Sequence, residues 1–498
     1  DPQTGHHSFN LPVNVDNIDR IEILKGQGSR SFGANAFSGV INYITKKQDT
    51  KKIFAQALGG QHGLFDLSLN TSYSYAGLNN HVSLSKRKSD GYRHNTGFDA
   101  VNFIYNSFLN LGSSKLNFLF GYNDKEFGAN GFYASAFPNQ WERTTTKLLG
   151  AGGEFGNELF SLSPKFYWRR NNDRFLLNYE DPSFYENNHQ TDVLGFEIQS
   201  SVTTAFGVTA FGGEFTKDEI NSNNLGNHSR ENKGLFAEHK FSPVDDFTVV
   251  AGAFVYDYAL IGWKFWPGVD FSYNFMPGMQ LTGSAGKAFR IPTYTELYYS
   301  DPVSQGSIVL RHEETVNYEL GFNHYDFSYS FHFALFRKEG KNIIDWVKNS
   351  SESRWTAMNI AQLNTNGLET EFKIYPASFI SNFPIISAGI NYTYLDIKRE
   401  LMEFTSRYAL DHLKQQLVIS VNTRLPFNIT QLWIFRYEDR IDLEDNFITD
   451  MHINYNLTEF NIFIKVSNLF NKSYRDFSNL SLPGRWITTG LNTSLSLK

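Results

Sequence analysis

Cysteine is absent from the 498 residues. Disulfides and thiolate metal sites are therefore excluded. No uninterrupted apolar stretch reaches the ~18 residues that a membrane-spanning helix needs, and no secretory signal opens the chain. Positive charge is not in excess either: the formal net charge is -6 and the pI is near 6.1. That balance argues against a general nucleic-acid binder. Catalytic motifs are lacking too. There is no H-E-x-x-H sequence and no nucleophile elbow, and with 13 His and 51 acidic residues accidental neighbours are expected. The chain is read as a non-enzyme.

Aromatic residues, by contrast, are plentiful. They make up 16 % of the chain, with 46 Phe and 26 Tyr, although mean hydropathy is only -0.38. Transmembrane barrels combine these properties, because they alternate apolar-out with polar-in and carry aromatic girdles. Composition alone leaves an aromatic-rich soluble propeller or sandwich equally open.

Alternation is what separates these readings. In 327–335 (Phe-Ser-Tyr-Ser-Phe-His-Phe-Ala-Leu) every odd position is large and apolar. Leu194, Phe196 and Ile198 divide in the same way from Gly195, Glu197 and Gln199, and 460–466 keeps one face apolar. Short connections (76–80, 112–114, 156–157, 205–207, 245–246, 277–278, 426–428) alternate with long ones near 127–143, 171–190, 220–231, 289–314 and 339–360. Short turns on one side and long loops on the other are a transmembrane-barrel habit. Counting in this way predicts about 22 antiparallel strands from Lys51 to Lys498, a size associated with plugged outer-membrane transporters.

Before the barrel, residues 18–45 predict a strand, glycine-rich turns and a second strand. Ile18, Arg20 and Glu22 interleave with Ile21 and Ile23, and Val40–Thr45 is β-branched. Gly26, Gly28 and Gly33 suit tight turns or close backbone approach. They do not make a dinucleotide cradle, since Gly33 is misplaced for G-x-G-x-x-G and no helix follows.

The runs Arg20–Gly26 and Phe32–Thr45 resemble the closing part of the plug of TonB-dependent outer-membrane receptors. Gly286–Tyr298, Leu310–Glu313, Asn317–Phe322, Asn366–Phe372, Val466–Arg475 and Pro483–Arg485 resemble that family's barrel motifs in order. The resemblance implies an all-β fold: residues 1–48 are the C-terminal part of a plug inside the lumen, and 49–498 are a 22-stranded barrel. It implies active import across the outer membrane of Gram-negative cells. Its partners would be TonB with the inner-membrane energising complex, outer-membrane lipid and a surface lipoprotein that binds cargo, but no nucleic acid. A passive or adhesive barrel is the reading from another class.

The family normally carries a signal peptide, a TonB-contacting segment and the first half of the plug ahead of Asp1. It also ends on an aromatic residue, which is expected just beyond Lys498.

The resemblance also directs attention to particular side chains. Barrel glutamates of the family face plug arginines, so Glu319, Glu369 and Glu371, at inward parity, are expected opposite Arg20, Lys25 and Arg30. An apical plug loop, here Asp1–Pro12, forms the vestibule floor, which puts Gln3, Thr4, His6, His7 and Asn10 in reach of cargo. Aromatic walls would come from Trp141, Tyr298, Trp346 and Trp355. The adjacent His6 and His7 are weighed as metal ligands. As strand neighbours point to opposite sides, they are read as exposed loop histidines and no metal site is assigned. No cofactor is expected beyond cargo. Loop calcium on Glu180, Asp181, Glu186 and Asp192 is a lesser option than a solvated acidic loop. Asp1–His7 with Gly33–Gly39 looks most like the cobalamin-receptor branch of the Bacteroidota type, with a ferric-siderophore receptor as the alternative.

Overall fold

The fold is seen in a computed structural model that describes all residues except 27, 29–32, 34, 38, 47–50, 134–135, 260, 350–353, 400–403, 408–412, 442, 477–479 and 497–498. The expected boundary after residue 48, Arg30 of the expected lock and the terminal Lys498 therefore lie outside the described residues. No helix among the described residues is long and apolar enough to cross a membrane. The crossing elements are strands.

Twenty-two antiparallel strands, from Lys52–Gly60 to Trp486–Ser496, close on themselves through the pairing Leu491↔Ala57. Closure leaves no unpaired edge, which is what allows a sheet to sit in lipid. Alternation in sequence becomes alternation across the wall. Leu194, Phe196 and Ile198 are exposed outward, as are Phe460, Ile462 and Ile464. Residues of the opposite parity face the lumen: Thr191 bonds Gln3, and Glu197 lines an inner cavity.

Several strands greatly exceed the ~9–11 residues that suffice to cross the bilayer. Tyr329–Asn349 has 21 residues, Trp355–Ile374 has 20, and Glu186–Thr204 and Gly226–Val244 have 19 each. Three expected long loops are corrected on this account. The 220–231 connection is a turn of 223–225 between Gly207–Ser222 and Gly226–Val244, in register through Ser222↔Gly226. Strands enter 171–190 as far as Leu176 and resume at Glu186. In 339–360 they reach Asn349 and resume at Trp355. Here the buried inner positions mix charged and polar side chains (Asp173, His189, Arg230, Asp345) with apolar ones (Ile220, Val347), so the hydropathy alternation fades while the backbone ladder continues. Polar cross-strand pairs such as Arg174–Glu186, at 2.8 Å, hold it. The long 291–312 connection is as expected. It contains one short helix, α1 (Tyr294–Tyr298), with a capping box between Thr293 and Glu296.

The glycine-rich stretch forms a separate two-stranded sheet, β1 (Ile18–Lys25) with β2 (Gly39–Thr45), in register through Ile23↔Ile41. Gly28 permits a close approach: a Cβ there would lie 2.6 Å from Val40 Cγ2. Ile21, Ile23 and Ile41 leave one apolar side of this small sheet exposed. Residues 1–17 run ahead of it along the inner wall.

Candidate functional site

Residues 1–17 are held to the wall by side chains that alternate with exposed ones. Gln3, His7, Asn10 and Asn17 are buried. The Gln3 amide donates to Asp173 Oδ2 at 2.8 Å. Asn10 Oδ1 accepts from Lys125 Nζ at 2.8 Å, and Asn17 Oδ1 meets His81 Nε2 at 3.0 Å. Ser68 donates to Asp16 at 2.9 Å. Pro12 seats on Gly121, where a Cβ would come within 2.4 Å of Pro12 Cγ. A buried polar group costs free energy unless it is paired, so these contacts fix which face of the segment meets the barrel.

A second set of contacts comes from α1 and the strand Met279–Arg290 before it. The amides of Tyr294 and Thr295, at the start of the helix, donate to the carbonyls of Pro2 (2.8 Å) and Gln3 (3.0 Å). Asn35 N–H donates to the Phe289 carbonyl, and its side chain accepts from Ile291 N–H. Phe289 is anchored by stacking on Trp266, at 4.0 Å, within a buried cluster that includes Phe254, Tyr256 and Tyr258. A cavity of about 420 Å³ lies against Asp1 and Asn35, lined in part by Tyr167, Glu214, Asp218 and Arg230.

Of the two histidines expected to be exposed in a loop, His6 is exposed and His7 is a correction. Both lie on a single turn of 3₁₀ helix, Gly5–Phe9, and their rings are 4.4 Å apart. His7 is fully buried, its Nε2 3.1 Å from Glu142 Oε1 and 3.9 Å from Asp173 Oδ2. Its Nδ1 is 3.4 Å from the Asn171 amide. Arg169 donates to the His7 carbonyl at 2.8 Å and pairs with the Asp1 carboxylate. His6 keeps an exposed edge toward the long 129–140 connection. Its Nε2 is 3.2 Å from the Tyr133 hydroxyl, which in turn donates to Glu142. Loss of hydration among these neighbours lowers the His6 pKa to about 4, so its ring is neutral at neutral pH.

The other expected residues divide in the same way. Gln3 and Asn10 spend their polar atoms on the wall, whereas His6 is exposed and Thr4 is half-exposed, with its hydroxyl 3.1 Å from His6 Nδ1. Phe9, which the sequence reading passed over, is 70 % exposed beside them. Tyr298 stacks on His228 at 3.6 Å, and Trp355 lies beneath Arg407. Trp346 is buried against Tyr299. Of the expected lock, Lys25 pairs with Glu369, and Glu319 lies within the field of both. Glu371 is opposite His332. Arg20 is a correction: it is exposed and pairs within β1, with Glu22 at 2.8 Å and Asp19 at 3.4 Å. Neighbours on its own strand reach it before the wall does. The acids weighed for calcium do not converge: Glu186 and Asp192 are each 2.8 Å from an arginine. The wall partners Glu142, Asp173, Asn171 and Lys125 were not singled out from sequence. Their only signal was polar character at inward parity.

Comparison with known proteins agrees with this arrangement. The model of the family described as "TonB dependent receptor-like, beta-barrel" matches residues 24–495. A vitamin B12 transporter, BtuB, of Photobacterium profundum is 21 % identical, over 93 % of this chain and 77 % of its own length. The siderophore receptor PirA from Pseudomonas aeruginosa superposes with a TM-score of 0.79 at 16 % identity, covering 97 % of this chain and 88 % of that one. The FrpB iron transporter from Neisseria meningitidis gives 0.77 at 13 %, covering 96 % and 88 %. The solved structures establish the fold alone. With a family match over nearly the whole length and a closed barrel of 22 strands, the chain belongs to the TonB-dependent receptors, transporters of the Gram-negative outer membrane energised through TonB.

Proposed function

We propose that this receptor imports cobalamin. The observation that carries the reading is similarity to a vitamin B12 transporter across 93 % of the chain. The chemistry of the plug crest supports it. Residues 1–17 contain no Lys or Arg, and the side chains of residues 1–10 open to the vestibule are His6, Ser8 and Phe9, with Thr4 half-exposed. An uncharged floor of hydrogen-bonding and aromatic groups suits a large, amide-rich, electrically neutral corrinoid. Anionic ferric siderophores call for a cluster of cations. Tyr298 and Trp355 are proposed as aromatic walls. Residues 1–48 act as the plug portion, and a surface lipoprotein that delivers cargo and the surrounding outer-membrane lipid are proposed partners.

Binding alone does not pump; it shifts populations only by its differential affinity for two states. Cargo seats on the crest, and force delivered through TonB then breaks the wall contacts of residues 1–17. The test is binding of radiolabelled cyanocobalamin and of ferric siderophores to the purified full-length receptor, paired with uptake in cells with and without TonB. Saturable cobalamin binding with TonB-dependent uptake is expected. Binding of siderophore alone would replace the cargo, and uptake indifferent to TonB would favour a passive barrel.

A further inference from the structure

Among the described residues one group of side chains has the makings of a metal site: His6, His7 and Glu142, whose donor atoms all lie within 4.8 Å of one another. We propose that these three residues bind a divalent transition-metal ion that clips the plug to the barrel wall. Two ligands come from the 3₁₀ turn and one from the strand Trp141–Gly156.

The spacing is suitable. Ligands about 2.1 Å from a tetrahedral centre stand about 3.4 Å apart. His7 Nε2 and Glu142 Oε1 are already at 3.1 Å. His6 Nε2 is tied to the same carboxylate through Tyr133, and a ring nitrogen of His6 lies within 4.8 Å of the other two donor atoms. Two imidazoles and a carboxylate with a fourth position open form a donor set that suits zinc, copper or nickel and not calcium.

The outer contacts match as well. His6 Nδ1 is 3.1 Å from the Thr4 hydroxyl, which leaves Nε2 for the ion. A second bond of this kind orients a ligating imidazole. On loading, the protons of His6 and His7 each move from Nε2 to Nδ1, and the Thr4 hydroxyl accepts that of His6. The Asn171 amide, now donating to His7 Nδ1, turns over to accept that of His7 while exchanging its contact with Thr146. Proton count is conserved. An ordinary His7–Glu142 hydrogen bond would explain the buried pair, but it gives no reason for His6 and Tyr133 to converge on the same carboxylate.

Because the ligands come from two bodies, the ion ties the plug crest to the wall independently of which cargo is carried. The test uses the purified full-length receptor without a polyhistidine tag, stripped by chelator and titrated with Zn²⁺ by calorimetry and with Co²⁺ by visible absorption. One equivalent is expected, with the Co²⁺ bands of a low-coordinate site. Exchange of residues 4–10 should slow on loading. His6→Ala removes an exposed ligand without disturbing the buried pair, and should weaken binding by more than about tenfold. Glu142→Gln should do the same while the far-ultraviolet spectrum stays that of a barrel. Failure of the wild type to take up a stoichiometric ion, or equal affinity in His6→Ala (an adventitious ion only), would overturn the assignment.

Discussion

Replacing Arg290 by alanine tests whether the plug is held from the barrel side by the α1 loop. The Arg290 guanidinium makes two 2.9 Å bonds to Glu296 and one of 2.6 Å to Glu313. Glu296 also accepts the Thr293 amide at 2.7 Å, closing the capping box, and Glu313 accepts the Ile344 amide at 2.6 Å. Glu313 is 5 % exposed, so removing the cation leaves a nearly buried carboxylate unpaired beside a second one. Breaking such a pair costs about 3–5 kcal/mol when fully buried. Arg290 is 23 % exposed, so about 2–3 kcal/mol is the better figure here.

The loss falls on α1, whose first amides hold Pro2 and Gln3. Local opening should become about 30–150-fold more frequent, at tenfold per 1.4 kcal/mol. Hydrogen exchange followed by mass spectrometry reads this in segments 293–299 and 1–10 together, while the central strands keep their protection. Thr293→Ala removes only the cap, worth about 1 kcal/mol, and should raise exchange about fivefold in the same segments. Exchange in 293–299 that is unchanged in Arg290→Ala, or faster there without any change in 1–10, would refute the coupling.

Gly121→Ala should unseat Pro12 by overpacking worth about 1–3 kcal/mol. The plug should become more accessible to protease, and Pro12→Ala in the same chain should restore protection. Phe196→Arg on the lipid face should cost about 2–4 kcal/mol in urea unfolding from bilayers, against far less for lumen-facing Glu197→Arg. A double-mutant cycle of Lys25→Ala with Glu369→Gln should give a coupling below about 1 kcal/mol, because Lys25 is 58 % exposed.

What was legible from sequence follows from what each signal measures. Alternation reports the two solvents on the two sides of a wall, and at Leu194–Gln199 it identified both faces correctly. At 220–231 the buried positions mix Ile220 and Leu225 with Ser222 and Arg230, so nothing in the hydropathy marked a ladder that runs through Ser222↔Gly226. Glycine spacing marked Gly26 and Gly33, which have positive φ, and the close approach at Gly28, because backbone sterics are local. His7 was misread for the opposite reason. Its environment is supplied by Glu142, 135 residues away, and inward parity does not say which strand the plug segment will cross. Arg20 shows the same limit from the other side, since the acids that claim it, Asp19 and Glu22, were visible one and two residues away. A charge on an exposed strand is best assigned first to its own neighbours. The plug cations are therefore not equivalent: Lys25, at the end of β1 and across from Glu369, reaches the wall, while Arg20 belongs to the sheet that has to move.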